Sequence, residues 1–280
     1  GEGPPKLDVD VLARDGRVLA RLEGFAVRPV PAAPAATGRT EVLAFGWEPV
    51  LDRELPLLHA ATPGAGTLVA FSAAIPAVLR ARLEAQFPGI GLHAHADADT
   101  LPPLLDAGRH CERLILVLDP ESHPLEGDAL ISAQRAGIGL CFRLVKALLA
   151  RKPAKMALTV VTTQAVAVND SDGITAVHAG VHGLMGSAAK EFPHWSINTL
   201  DVPTGPERED ALLEAIRMGP VGGQGLLASR RGQWYREQVR ACEAFDSGTD
   251  LYRHKGVYVV IGGAGGLSGV WTELMIRNYQ

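Results

Sequence analysis

The chain has 280 residues, 47% hydrophobic and 21% charged, with 27 Lys and Arg against 31 Asp and Glu. That apolar fraction is ordinary for packed domains and excludes disorder over most of the length. A net charge of −4 leaves no basic surplus to neutralise nucleic-acid phosphates.

At about 150 residues per domain, the length suggests two domains. In chain order, residues 7–12 read as a strand in which Val9 and Val11 alternate with polar residues. Asp15-Gly16 is a two-residue turn signal, and residues 17–27 return with Val18, Ala20 and Leu22 on one face. A lone hairpin is marginal in water, so this one is expected to belong to a neighbouring domain. The Pro/Ala stretch 29–38 has too little bulky apolar content to pack and reads as a semi-rigid linker.

From Glu41 to about Val239, strands and helices alternate. Strands are predicted at 42–49, 67–71, 92–96, 113–119, 156–163 and 197–202. Helices are predicted at 77–86, 176–190 and 207–217, and one long helix from its Asp128 cap through Leu149, stopped by Pro153. The run Leu114-Ile115-Leu116-Val117-Leu118 is apolar at every position, as in a strand covered on both faces of a parallel sheet. Residues 224–229 and 233–239 form a hairpin around Arg230-Arg231-Gly232, which reads as turn charge. Repeated βα units with short links imply right-handed crossovers and a doubly wound α/β sheet. There is no internal repeat and no coiled coil.

The most specific motif comes last. Residues 256–261 are predicted as a strand, running into Gly262-Gly263-Ala264-Gly265-Gly266-Leu267-Ser268-Gly269 and then into helical spacing from Val270 to Arg277. Strand, glycine turn and helix make the context of a dinucleotide fingerprint. Glycines let backbone approach a pyrophosphate, and a helix N-terminus offers it free N–H groups and partial positive charge. The candidate cofactor-binding residues are Gly262, Gly263, Gly265, Gly266, Leu267 and Ser268, as a vestigial or incomplete set. In the short-chain dehydrogenase pattern the third glycine falls at position 268; here it is Ser268, whose side chain is expected to crowd the phosphate approach. The residue that selects NAD or NADP lies about 20 residues beyond such a turn, past Gln280.

Short-chain reductases place a Lys four residues after a catalytic Tyr, lowering its pKa for proton delivery. None of the four tyrosines (Tyr235, Tyr252, Tyr258 and Tyr279) has one; Tyr252 and Lys255 are three apart. No catalytic residue is assigned, and GxSxG, GxxxxGK(S/T) and HExxH are absent. His178 and His182, at i and i+4, have the spacing of a shared metal pair, with Glu191 or His194 as a third ligand. No ligand framework completes that set, so they read as a polar pair on a helix surface or cap, and no metal is assigned. His93, His95, Asp97 and Asp99 read as a solvated loop. Gly180, Gly183, Gly186 and Ala188 suggest close packing of their helix on the sheet, not a ligand cleft.

Cys111, Cys141 and Cys242 are odd in number and far apart, which fits a reducing cytosol better than a disulfide framework. The first ten residues lack the pattern of a signal peptide, and no run of 18 apolar residues is present to span a membrane. A cytoplasmic protein is expected.

The run His178-Ala179-Gly180-Val181-His182-Gly183-Leu184-Met185-Gly186-Ser187-Ala188-Ala189-Lys190-Glu191-Phe192-Pro193-His194-Trp195 resembles part of the structural subdomain of polyketide synthase ketoreductases. It looks most like those of bacterial trans-acyltransferase assembly lines. Phe45-Gly46-Trp47-Glu48-Pro49 resembles the start of that subdomain, and 256–280 the opening of the catalytic one. The early hairpin, with Leu22-Glu23-Gly24-Phe25, is similar to the last strands of a dehydratase-type domain.

The resemblance implies a tandem of two Rossmann-like halves. The first is truncated and cofactor-free; the second binds NADPH and reduces a β-keto group on an acyl chain held by an acyl carrier protein. The expected fold is a truncated Rossmann-like doubly wound α/β sheet with an N-terminal hairpin. The expected segments are a hairpin tail at 1–30, a linker at 31–40, the structural subdomain at 41–250, and the first strand and helix of the catalytic subdomain at 251–280. The implied function is a non-catalytic structural ketoreductase subdomain, degenerate or split, that binds no cofactor itself. Its implied partners are other synthase domains in cis or a split partner chain, and acyl carrier protein, with neither nucleic acid nor membrane. Two alternatives stand beside it: a piece of an active NADPH-dependent β-ketoacyl reductase, and an α/β interaction module without cofactor.

Overall fold

The computed structural model describes residues 6–12, 18–26, 42–51, 54, 63–64, 66–106, 111–119, 127–151, 153, 155–219, 225–242, 252–263 and 265–279. The turn expected at Asp15-Gly16 and the Pro/Ala stretch 29–38 lie outside these residues. The chain divides into two compact units, one of residues 43–241 and one of residues 1–42 with 242–280.

The larger unit is built on an eight-stranded sheet, in the order β3-β10-β9-β8-β7-β6-β4-β5. Its strands are β3 (Val42–Pro49), β4 (Thr67–Phe71), β5 (Gly91–His93), β6 (Arg113–Val117), β7 (Met156–Thr163), β8 (Trp195–Val202), β9 (Leu226–Arg230) and β10 (Gln233–Cys242). The ladder from β5 through β4, β6, β7 and β8 to β9 is parallel, and β9 pairs antiparallel with β10. The helices are α1 (Ala77–Gln86), α2 (Leu101–Asp106), α3 (Gly127–Gln134), α4 (Leu140–Arg151), α5 (Ala179–Glu191) and α6 (Arg208–Arg217). This is the doubly wound α/β sheet that the alternating pattern implies.

The all-apolar strands are explained by burial on both faces. On β6, Leu114 and Leu116 enter a core with α4 and α5, whereas Ile115 and Val117 enter a second core with α1 and α6. On β7, Leu158 and Val160 face the first core and Val161 the second. A period-two strand buried on both sides favours apolar residues at successive positions. Trp234, 1% exposed, joins the second core, and its indole Nε1–H donates to Glu214 Oε2 on α6 at 2.8 Å.

The sequence places one continuous helix over 128–149; the structure breaks it. A π-helical turn, Arg135–Gly139, separates α3 from α4. The reason is packing. A Cβ on Gly137 would lie 2.5 Å from Cδ2 of His178, so the wide turn and the missing side chain together make room for that ring.

The hairpin between β9 and β10 turns at Arg231 and Gly232, both at positive φ (53° and 74°). This is the backbone of the tight turns that match strand twist, and Gly232 takes it without steric cost.

The smaller unit contains an antiparallel hairpin of β1 (Lys6–Leu12) and β2 (Val18–Ala26) and a C-terminal helix, α7 (Gly266–Tyr279). The expected strand at 256–261 does not form. These residues pair with no strand, and Val257, Val259 and Ile261 are 96%, 92% and 97% exposed. Apolar composition alone does not make a strand; the backbone needs a ladder partner, and none is placed beside it among the described residues. An aromatic cluster orders the segment instead. Tyr252 meets Tyr258, Trp271 and Tyr279 edge-on at centroid distances of 5.6, 6.0 and 5.4 Å, and Trp271 Nε1–H donates to the Tyr252 hydroxyl.

Candidate functional site

Three places carry site-like features. The first is the glycine turn before α7. Gly262 sits at φ +81°, a left-handed conformation that favours glycine. Its carbonyl accepts from Gly265 N at 3.0 Å and from the Ser268 hydroxyl at 2.9 Å. The Ser268 side chain is thus turned back onto the loop and closes it. Gly263, Gly265, Gly266 and Leu267 are exposed, and a Cβ on Gly266 would meet nothing. A left-handed glycine before a helix N-terminus is the local backbone a pyrophosphate needs, and the strand that a dinucleotide fingerprint carries before it is absent among the described residues.

The second place is the point where the complete sheet switches direction. The chain leaves β4 for β5 on one side and returns to β6 on the other, so the carboxyl ends of β4 and β6 form the crevice where such folds bind ligands. The turn there reads Ser72-Ala73-Ala74-Ile75-Pro76, with no glycine, and leads into α1. The Ser72 hydroxyl accepts from Asp119 N at 2.8 Å, and Arg208 reaches Asp119 at 3.5 Å. The recess left between Phe71, Ala73, Ala74, Leu79 and Val117 measures about 250 Å³. Drug-sized ligands occupy about 300–1,000 Å³. Sequence reading missed this site because its signal is the absence of glycine at a position that only the topology reveals.

The third place surrounds α5. His178 is not a surface residue: it caps α5 from a 3₁₀ turn, Ala176–His178, and is 3% exposed. His182 is half-buried, with Nε2 3.1 Å from the Thr162 hydroxyl. Thr162 in turn donates to Asp201 Oδ1 at 2.6 Å, and Asp201 Oδ2 accepts from Arg230 at 2.5 Å. Arg230 is therefore not turn charge. It is 3% exposed, between Asp201 and Asp172, and also donates to the Val166 carbonyl. Burial pushes both imidazoles below the ordinary histidine range, His178 and His182 alike. Glu191 and His194, the expected third ligands, are exposed at and just past the far end of α5, and no three metal-ligating side chains converge among the described residues.

The glycines of α5 correct a further expectation. Gly183 and Gly186 are exposed, and a Cβ on either would meet nothing. Only Gly180 is confined, by Ile138 at 3.1 Å. Ala188 alone of the four is buried. Gly183 and Gly186 line a groove of about 670 Å³ between α5 and the sheet, with Phe45, His182, Lys190 and Glu237. Burial raises the Glu237 carboxyl above its ordinary value. The cluster expected at 93–99 is a capped loop: Asp97 Oδ1 accepts from Asp99 N, Thr100 N and the Thr100 hydroxyl.

Comparison with known proteins fits this architecture. The family model described as "Polyketide synthase extender module SpnB, Rossmann fold domain" matches residues 45–238. Polyketide synthase PksM of Bacillus subtilis (strain 168) is 30% identical over 291 aligned residues, covering 98% of this chain and 6% of PksM. Polyketide synthase ThaG of Burkholderia thailandensis is 37% identical over 185 residues, covering 65% of this chain and 3% of ThaG. A C2-type ketoreductase from a modular polyketide synthase superposes with a TM-score of 0.59 at 19% identity, covering 85% of this chain and 52% of that one. This chain thus spans a small fraction of the curated relatives it matches.

Proposed function

The chain belongs to the family of Rossmann-fold domains of polyketide synthase extender modules typified by SpnB, and from that premise we propose that it is a non-catalytic ketoreductase scaffold. It braces β-keto processing of acyl chains on acyl carrier protein within a modular polyketide synthase. Its partners are other synthase domains, in cis or on a split partner chain. The observation that carries the reading is the switch point. The turn at Ser72–Pro76 has no glycine to admit a pyrophosphate, and the recess beside it is about 250 Å³.

Two further features support it. No Tyr is followed four residues later by Lys, so proton delivery to a carbonyl has no candidate side chain. The parallel strands are tied into cores on both faces, which suits a rigid support. Such a scaffold works in the cytoplasm; among the described residues no helix is long and apolar enough to cross a membrane.

In the reductase reaction NADPH supplies hydride. Here Gly262 to Ser268 would offer only backbone N–H groups to its phosphates. Titrating the chain into NADPH should give no saturable fluorescence change at micromolar levels. Saturable binding, together with reduction of a β-ketoacyl thioester, overturns the reading.

The left-handed Gly262 and the helix start at Gly266 favour one alternative, a segment of an active NADPH-dependent β-ketoacyl reductase. A parent protein with a downstream YxxxK on a helix would support it.

A further inference from the structure

The polar cluster beneath α5 has no part in the function proposed above, and its placement suggests a device. The segment 164–175 joins β7 to the 3₁₀ turn before α5. Gln164 ties its start to β8 through the Val202 carbonyl and Ser171 accepts from Arg231, while the contacts between them centre on the buried Asp201–Arg230 pair. Ala165 N donates to Asp201, the Val166 carbonyl accepts from Arg230, and Val168 N and Asn169 N donate to Asp172 beside Arg230. Asp201 is linked through Thr162 to His182, one turn from His178.

The hydrogen bonds fix the proton positions. Thr162 has one hydroxyl proton, and at 2.6 Å it goes to the Asp201 carboxylate. His182 must therefore donate from Nε2 to the Thr162 oxygen, which leaves Nδ1 unprotonated. That Nδ1 is buried without a hydrogen-bond partner among the described residues, and so is Nδ1 of His178. A proton arriving at either ring would create a buried N–H with no acceptor and a cation that must be desolvated.

We infer that His178 and His182 form an acid-operated latch: protonation of the pair releases the 164–175 segment and the first turn of α5 together. The charged groups around the pair set the direction. Asp201 on β8 favours the cations, but it is already engaged by Arg230 on β9, which Asp172 flanks from the segment itself. The two imidazoles oppose each other's charging, and the Gly137 backbone and the Gln134 amide at Val177 O close the remaining side without offering a carboxylate. Lys190 and Glu237 line the adjacent groove. Burial lowers both folded-state values from the usual 6.5. The closed form therefore binds fewer protons than the open form. Its stability is fully present above that usual value and is lost as pH falls through the lowered ones.

Hydrogen exchange of the 280-residue chain, followed by mass spectrometry at pH 7.5 and 5.5 and corrected for intrinsic rates, tests this. Amides of 164–182 should lose protection, by up to about tenfold per pH unit for each imidazole titrated, while α1 and α6 keep theirs. The variant His182→Gln retains a donor toward Thr162 but cannot charge, and should blunt the acid loss. Equal loss in α1 and α6, or none in 164–182, would overturn the latch. If the variant fails to fold, the region-selective measurement on the native chain decides alone.

Discussion

Gly137→Ala probes the packing that breaks the α3–α4 helix. The added methyl would sit 2.5 Å from His178 Cδ2 and 3.0 Å from Nε2. Carbon–carbon contacts have their minimum at about 3.5–4.0 Å, so the ring or the turn has to shift by roughly an ångström. His178 is 3% exposed, which leaves its ring little room to retreat. Overpacking costs about 1–3 kcal/mol, and an off-rotamer ring adds about 0.5–1.5 kcal/mol. Replacing a helical Gly by Ala returns about 1 kcal/mol. The net expectation is a loss of about 0.5–3.5 kcal/mol. At about 2–4 °C per kcal/mol for a unit of this size, Tm should fall by roughly 1–14 °C, with the urea midpoint lowered and m unchanged. Gly183→Ala on α5, where a Cβ meets nothing, is the control and should stabilise by up to about 1 kcal/mol. In a double-mutant cycle with His178→Ala the penalty at 137 should largely vanish, because the clashing atoms are gone. A Gly137→Ala chain as stable as the native one would refute the steric account of the π turn.

Two other substitutions follow from single side chains. Arg113 is 7% exposed; its Nη2 donates to the Met218 carbonyl, while Nε and Nη1 have no partner among the described residues. Burial pushes its guanidinium down to about 10. Arg113→Met should be neutral or stabilising by up to about 2 kcal/mol, since a buried charge with no carboxylate is replaced by an apolar chain; a large drop in the urea midpoint would contradict this. Trp234→Phe keeps most of the apolar bulk but strands Glu214 without its indole donor, and should cost about 1–3 kcal/mol in chemical denaturation.

Much of the fold is legible in the residues. On the parallel ladder β4, β6 and β7 are runs apolar enough to be covered on both sides, and 113–119 announces this most clearly, whereas β8 and β9 bury polar residues that hide the pattern. The tight turn at Gly232 is equally local, because it depends on φ rather than on partners. The candidate sites divide differently. The glycine turn at 262–269 is a local pattern and stands where the sequence puts it. The significance of Ser72–Pro76 is invisible without the sheet order, since no local feature marks a switch point.

The sequence by itself determined the alternation of elements, the two-faced burial of the parallel strands and the position of the glycine turn, because each depends on side-chain period or backbone freedom within a few residues. Only the tertiary structure decided three other matters. Residues 256–261 lack a ladder partner despite a strand-like composition. Arg230, one residue from an exposed turn, is buried between Asp172 and Asp201. Gly183 and Gly186 of α5 open onto a groove while His178 turns inward against Gly137. Each depends on residues distant in the chain, and pairing, desolvation and contact exist only once those residues are brought together.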